Sequence, residues 1–163
     1  MLPDRLFRRL DRARLDGTLT RRALVGAAPL MRELQGGHDR FRSGGEPAAL
    51  ASGAQRLVDH LCEEFVVAGK RVDLLDEPRP HKRKGGRIVF ELHGQCRRDG
   101  AIRIFARTAA QKRPVALKTL LETLVHEFVH HYDFDCFGAS VHCSGFYERL
   151  GQLYRPLREE VEA

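Results

Sequence analysis

Between residues 117 and 129 the apolar residues Leu117, Leu120, Leu121, Leu124, Val125, Phe128 and Val129 recur at three- and four-residue spacing. That spacing is the signature of a helix with a wide buried face. Such a helix must be covered, and 163 residues with 42% hydrophobic content suffice for one ordinary core without disulfide staples. The end of this stretch runs into His126-Glu127-Phe128-Val129-His130. Two imidazoles at i and i+4 lie on one helical face, about 6 Å apart at Cβ. The fold therefore has to bury one side of this helix and leave room for polar chemistry on another.

The remaining elements follow from pattern and punctuation. Residues 1–35 read as one or two Arg-rich helices, with Leu2, Leu6 and Leu10 recurring at i+4. Gly36-Gly37 and Ser43-Gly44-Gly45 bracket a polar stretch, 36–47, expected as a linker that makes the N-terminal piece a helical extension. From Pro47, the residues Leu50, Ala54, Leu57, Val58, Leu61 and Phe65 form a helical stripe closed by Gly69. Residues 72–75, 87–93 and 101–106 read as strands, with Gly94, Asp99 and Gly100 in the turn between the last two. Pro114 fits the first position of the HExxH helix, and residues 137–140 form the loop that ends it. Phe146, Leu150, Leu153 and Leu157 mark a final helix, and 158–163 a tail. Helix, small sheet, helix, helix is an α+β order.

Charge is uneven. Residues 79–113 hold eleven Lys and Arg against Glu91 and Asp99, a net +9, whereas 1–78 carry +1 and 114–163 carry −4. The densest part is His81-Lys82-Arg83-Lys84, followed by Gly85-Gly86-Arg87. A cluster of this kind suits a polyanion, and Lys82, Arg83, Lys84 and Arg87 are the candidate nucleic-acid contacts. With few aromatic residues nearby, sequence-specific readout is not expected. Thr20-Arg21-Arg22 imitates an export signal, but the apolar run after it is nine residues, holds Gly26 and Pro29, and stops at Arg32-Glu33. No apolar run reaches the 18 to 20 or so residues of a membrane span. Cys62, Cys96, Cys136 and Cys143 form no CxxC pair. Reduced thiols and a cytoplasmic location are the expectation.

The HExxH pattern carries the chemistry. Imidazole nitrogens suit zinc, which binds them near 2.0–2.1 Å in tetrahedral geometry and leaves one position open at catalytic sites. Glu127, next to the first ligand, is placed to take a proton rather than bind metal. A third protein ligand is required. The positions that would be Gly and His in a metzincin are Asp133 and Cys136, which argues against that class. His142, twelve residues after His130, is favoured over Glu148 on the following helix, with Cys136 and Cys143 as softer alternatives. Asp133 and Asp135 are candidate hydrogen-bond acceptors for a ligand His. His131 lies about 100° around the helix from His130. Tyr132 and Tyr147 could stabilise an oxyanion, although packing is their commoner use. His38, His60, His81 and His93 have no partner pattern.

Residues 119–133, TLLETLVHEFVHHYD, together with His142-Cys143-Ser144-Gly145-Phe146, resemble the paired motifs of the SprT-like metallopeptidases over roughly residues 48–157. The YgjP-like metal-dependent hydrolases are similar in the same His-x-x-x-Phe block. Cys143 stands where Gly usually follows the third His. The resemblance implies a zincin-like single domain, a small antiparallel sheet packed on the active-site HExxH helix, Zn2+ held by His126, His130 and His142, and Glu127 as the catalytic residue. It implies hydrolysis of peptide bonds in a protein substrate and, in eukaryotic relatives, proteolysis of proteins crosslinked to DNA. Two other classes stay open. One is a nucleic-acid-binding protein with a structural zinc closed by a Cys. The other is a metal-dependent hydrolase acting on something other than peptides.

Overall fold

The computed structural model describes residues 1–162. Its centre is helix α4 (Leu117–Phe137), whose Leu120, Leu121, Leu124, Val125, Phe128 and Val129 are buried as their spacing predicts. On it pack α1 (Asp4–Arg12), α5 (Ser144–Glu162) and, through Phe65, α3 (Ala48–Phe65), while α2 (Gly17–Arg42) packs on α3 and α5. The strands are β1 (Val72–Pro78), β2 (His81–Lys84), β3 (Arg87–Glu91), β4 (Gly94–Cys96) and β5 (Ile102–Arg107). The architecture is α+β, and no helix among the described residues is long and apolar enough to cross a membrane.

The expected linker at 36–47 is largely helix. Asp16 caps α2 by accepting from the N–H groups of Thr18 and Leu19, and the helix then runs through Pro29 and Gly36-Gly37 to Arg42. Ala23, Ala27, Met31, Leu34, His38 and Phe41 form one buried stripe along it, and α2 packs against both α3 and α5. Gly37 is the point of closest approach: a Cβ there would lie 2.6 Å from Leu50 N and 2.7 Å from the Ala49 carbonyl carbon. A glycine required by packing reads in sequence like one required by flexibility. Residues 1–35 are not an appendage either. Leu10, Leu15, Ala23, Ala27, Met31 and Leu34 belong to the same buried cluster as the α3, α4 and α5 residues. Of the expected tail, residues 158–162 continue α5, and Ala163 lies outside the described residues.

The expected antiparallel sheet is mixed. Its order is β1-β5-β4, with β1 parallel to β5 (Val72 opposite Ile102) and β4 antiparallel to β5 (Gly94 opposite Ile104). Gly94, read as a turn residue, begins a strand. The basic loop is also a strand: β2 pairs with β3 in a separate hairpin, closed by Gly85 and Gly86 at φ 59° and 77°. Two consecutive positive-φ residues make the tight turn whose twist suits a hairpin. Pro114 bridges to Arg107 instead of opening α4, because Val115 is buried and its N–H donates to Ala106 O. α3 stops at Phe65, with Val66 in the left-handed region, rather than at Gly69.

Candidate metal centre

Helix α4 has two useful faces. Leu117, Leu120, Leu121, Leu124 and Phe128 enter the core, while Thr119, Glu122, Thr123, His126, Glu127, His130 and Phe134 line a cleft of about 550 Å³. The second set recurs at i+3, i+4, i+7 and i+8, so a single turn-by-turn stripe places both His and the Glu in the cleft. Gly138 then ends the helix in the left-handed conformation, its N–H donating to Phe134 O. The chain doubles back, and His142 reaches the same point from the opposite side.

There the three imidazoles meet. His142 Nε2 is 3.1 Å from His126 Nε2 and 2.8 Å from His130 Nε2, and the three rings offer ligand atoms within 4.8 Å of one another. One ring nitrogen has one in-plane site, so His142 Nε2 cannot make a good hydrogen bond to both neighbours. A tetrahedral ion with bonds of 2.0–2.1 Å would hold such nitrogens about 3.3 Å apart. The two His142 separations lie within about 0.5 Å of that spacing, and the donor set fits a divalent metal ion. Phe146 is fully buried beneath the cluster, its ring centroid 4.8, 4.5 and 5.1 Å from those of His126, His130 and His142. The Phe four residues after the third His is the floor of the site.

The electrostatics keep the two helix imidazoles in ligand form. Burial, reinforced by neighbouring imidazoles, pushes His126 down to about 4 and His130 down to about 3. Neutral imidazole is the state that binds metal. Glu127 is 6% exposed, and burial pushes its carboxyl up to about 7. A carboxyl titrating near neutrality is suited to accept and return a proton. His130 Nδ1 lies 2.7 Å from Ser140 Oγ, and that hydroxyl donates to Asp133 Oδ2 at 3.2 Å. Because Ser140 gives its only proton to Asp133, it accepts from His130 Nδ1–H, which leaves Nε2 unprotonated toward the cluster.

The opposite wall of the cleft is β4. His93 O accepts from Phe105 N–H and Arg97 N–H donates to Ala101 O, so the alternate residues Gly94 and Cys96 direct their backbone groups away from β5. Both residues line the cleft. Gly94 lets the strand sit close on α4, since a Cβ there would be 2.8 Å from Thr123 Cγ2.

His126, Glu127, His130 and His142 are thus brought together. Glu148 is exposed on α5, and Cys136 and Cys143 also lie outside the cluster. Asp133 reaches His130 only through Ser140, Asp135 is exposed, and His131 is turned to Ala68 O at 2.7 Å. Tyr132 packs edge-on against Phe65, and Tyr147 stacks on His142 at 6.1 Å. His38 and His60 bond to Val115 O and Ala23 O. The basic block divides. Lys82, Arg83, Lys84 and Arg87 are exposed on the β2–β3 hairpin, whereas Arg79 is buried beside Glu91 and Arg107 pairs with Asp76. Sequence reasoning missed His93, which lines the cleft, and Ser140, Arg149 and Gly94. The sequence signal for Arg149 was available: a lone cation in the apolar stripe that includes Phe146, Leu150 and Leu153. No protein-family model, curated protein or solved structure matches the chain.

Proposed function

We propose that the protein is a zinc-dependent metallopeptidase that hydrolyses peptide bonds in protein substrates. The observation that carries this reading is the convergence of three imidazoles, with His126 and His130 held neutral by burial, beside a buried, proton-accepting Glu127 in one cleft. Zinc bound by His126, His130 and His142 would lower the pKa of a water toward 7 and polarise a scissile carbonyl. Glu127 would take the proton of the attacking water and deliver it to the leaving amine nitrogen. The free backbone groups of Gly94 and Cys96 would bind an extended chain along the cleft wall, which favours a peptide over a small non-peptide substrate. Three His donors with no Cys among them favour an open catalytic site over a closed structural one. The test is metal content together with casein cleavage, with and without DNA, for wild type and Glu127→Gln. The expected result is one zinc in both proteins and cleavage only in wild type. Full cleavage by Glu127→Gln would overturn the mechanism.

A nucleic-acid partner is a second part of this reading, supported by the β2–β3 hairpin. Lys82 opposes Phe90 and Lys84 opposes Arg87, so these four exposed side chains share one face. Lys82 Nζ sits 6.0 Å from the centroid of Phe90, which is 50% exposed. Cations around an exposed aromatic ring fit phosphates and an unstacked base. Neutralising Lys82, Arg83 and Lys84 together should flatten the log affinity versus log salt slope for DNA by up to about 2 to 3. Zinc content should stay the same. Unchanged binding and slope, measured by fluorescence anisotropy, would remove DNA from the proposal.

A further inference from the structure

A buried ion pair lies behind the metal centre, and the proposed hydrolytic chemistry does not use it. Asp133 and Arg149 are both fully buried. Arg149 Nε donates to Asp133 Oδ1 at 3.0 Å and Nη2 donates to Oδ2 at 2.9 Å. Taking two charges out of water is costly, and apolar side chains of similar volume often hold a fold as well. Stability alone therefore does not explain the pair. What distinguishes this one is what it touches at each end.

On one side, Asp133 Oδ2 also accepts from Ser140, which accepts from His130 Nδ1–H. On the other, Arg149 Nη1 donates to Leu10 O at 2.6 Å and Ala13 O at 2.8 Å. These carbonyls end α1, where the last turn of a helix lacks donors and carries partial negative charge. Two further α5 residues on the same face grip the same corner. Gly145 N–H donates to Asp11 Oδ1, and Gln152 pairs with both the N–H and the C=O of Leu15. Gly145 lies so close that a Cβ would fall 2.3 Å from Leu10 O. A nine-residue helix is too short to persist alone in water, so α1 is ordered by this docking.

We propose that the corner formed by α1 and the start of α2 is a positioning element of the metal centre, acting on His130 through Arg149, Asp133 and Ser140. The corner fixes the guanidinium, the guanidinium fixes both carboxylate oxygens, and the carboxylate fixes the one hydroxyl proton, which places the His130 proton on Nδ1 and leaves Nε2 bare toward the cluster. Groups behind a ligand His commonly govern metal affinity 10- to 100-fold. The proposal rests on the metal reading given above and extends it to residues 10–15, which lie far from the HExxH motif in sequence.

The experiment is a competitive zinc titration against a chromophoric chelator, paired with urea unfolding of the metal-free proteins. Wild type is expected to bind one zinc and His126→Ala to lose it. If wild type binds none, the metal reading falls and takes this proposal with it. Ser140→Ala should weaken zinc binding about 10- to 100-fold while the metal-free unfolding midpoint stays close to wild type. Ser140→Thr, which keeps the hydroxyl, should restore the affinity. Arg149→Lys and Gly145→Ala, which disturb the grip on α1, should also weaken zinc binding, and their effect should vanish when Ser140 is already Ala. Wild-type affinity in Ser140→Ala overturns the proposal even if the Arg149 and Gly145 variants fail to fold. Losses that persist undiminished in the Ser140→Ala background show those residues to act on the fold and not through the relay, which also overturns it.

Discussion

Replacing Glu127 by Gln in the metal-free protein should stabilise the fold at pH 8 and leave it nearly unchanged at pH 4 to 5. Burial is what raises this carboxyl from its ordinary 4.5 to about 7. Below pH 4.5 the group is protonated in folded and unfolded chains alike, and it costs nothing. Between pH 4.5 and 7 the unfolded chain ionises while the folded one still holds its proton, so the folded state loses ground as pH rises. Above 7 both forms are ionised and the full cost is present, about 3 kcal/mol for a displacement of this size. Gln has nearly the same shape and no charge, so the variant escapes that cost. With a urea dependence of about 2 kcal/mol per molar, the midpoint of Glu127→Gln should exceed that of wild type by about 1.5 M at pH 8. The excess should shrink to near zero at pH 4.5. The assay is urea unfolding by circular dichroism across that range with a chelator present. Because His126 and His130 titrate in both proteins, the difference isolates Glu127. An excess that does not vary with pH, or a variant less stable at pH 8, would refute the burial argument.

His142→Ala should lower zinc affinity sharply, whereas Glu148→Ala should leave one zinc per chain, because only His142 joins the cluster. Equilibrium dialysis with metal analysis distinguishes the two, and the reverse result would move the third ligand to α5. Gly36→Ala should stabilise the fold by about 0.5–1 kcal/mol, since a Cβ there meets nothing within 4 Å and the position is helical. Gly37→Ala, one residue on, should destabilise it by about 1–3 kcal/mol, because its Cβ would strike the backbone of Ala49 and Leu50. Denaturant unfolding of the pair checks both signs, and equal effects would argue against the α2–α3 contact described.

The parts of the fold legible in sequence are those whose signal is local. The α4 stripe, the two His at i and i+4, and the apolar faces of α3 and α5 follow from a 3.6-residue period that burial enforces. His142 was approachable because a twelve-residue return is short and the choice of ligand types is narrow. What could not be read depends on partners distant in sequence. The helix through Gly36-Gly37 exists because α3 lies against Gly37. β4 has only three residues and takes its register from β5. β2 reads as a charged loop because all four of its residues are exposed, so no alternation of burial marks it. The relay behind His130 draws on residues 10, 13, 133, 140 and 149, which no window of sequence brings together.

The continuous core has a consequence for how small this protein can be made. The paired motifs lie within residues 48–157, and a chain trimmed to that span would look self-sufficient on paper. It would lack α2, and with it the cover over Leu50, Ala54, Leu57, Val58 and Leu61, all of which are buried in the whole chain. A bare stripe of that kind on an 18-residue helix invites self-association. Arg149 would keep Asp133 but lose the carbonyls of Leu10 and Ala13, leaving donors stranded where water enters poorly. The smallest unit expected to fold therefore begins at α1, and sequence identity confined to the motifs is a poor guide to where this molecule can be cut.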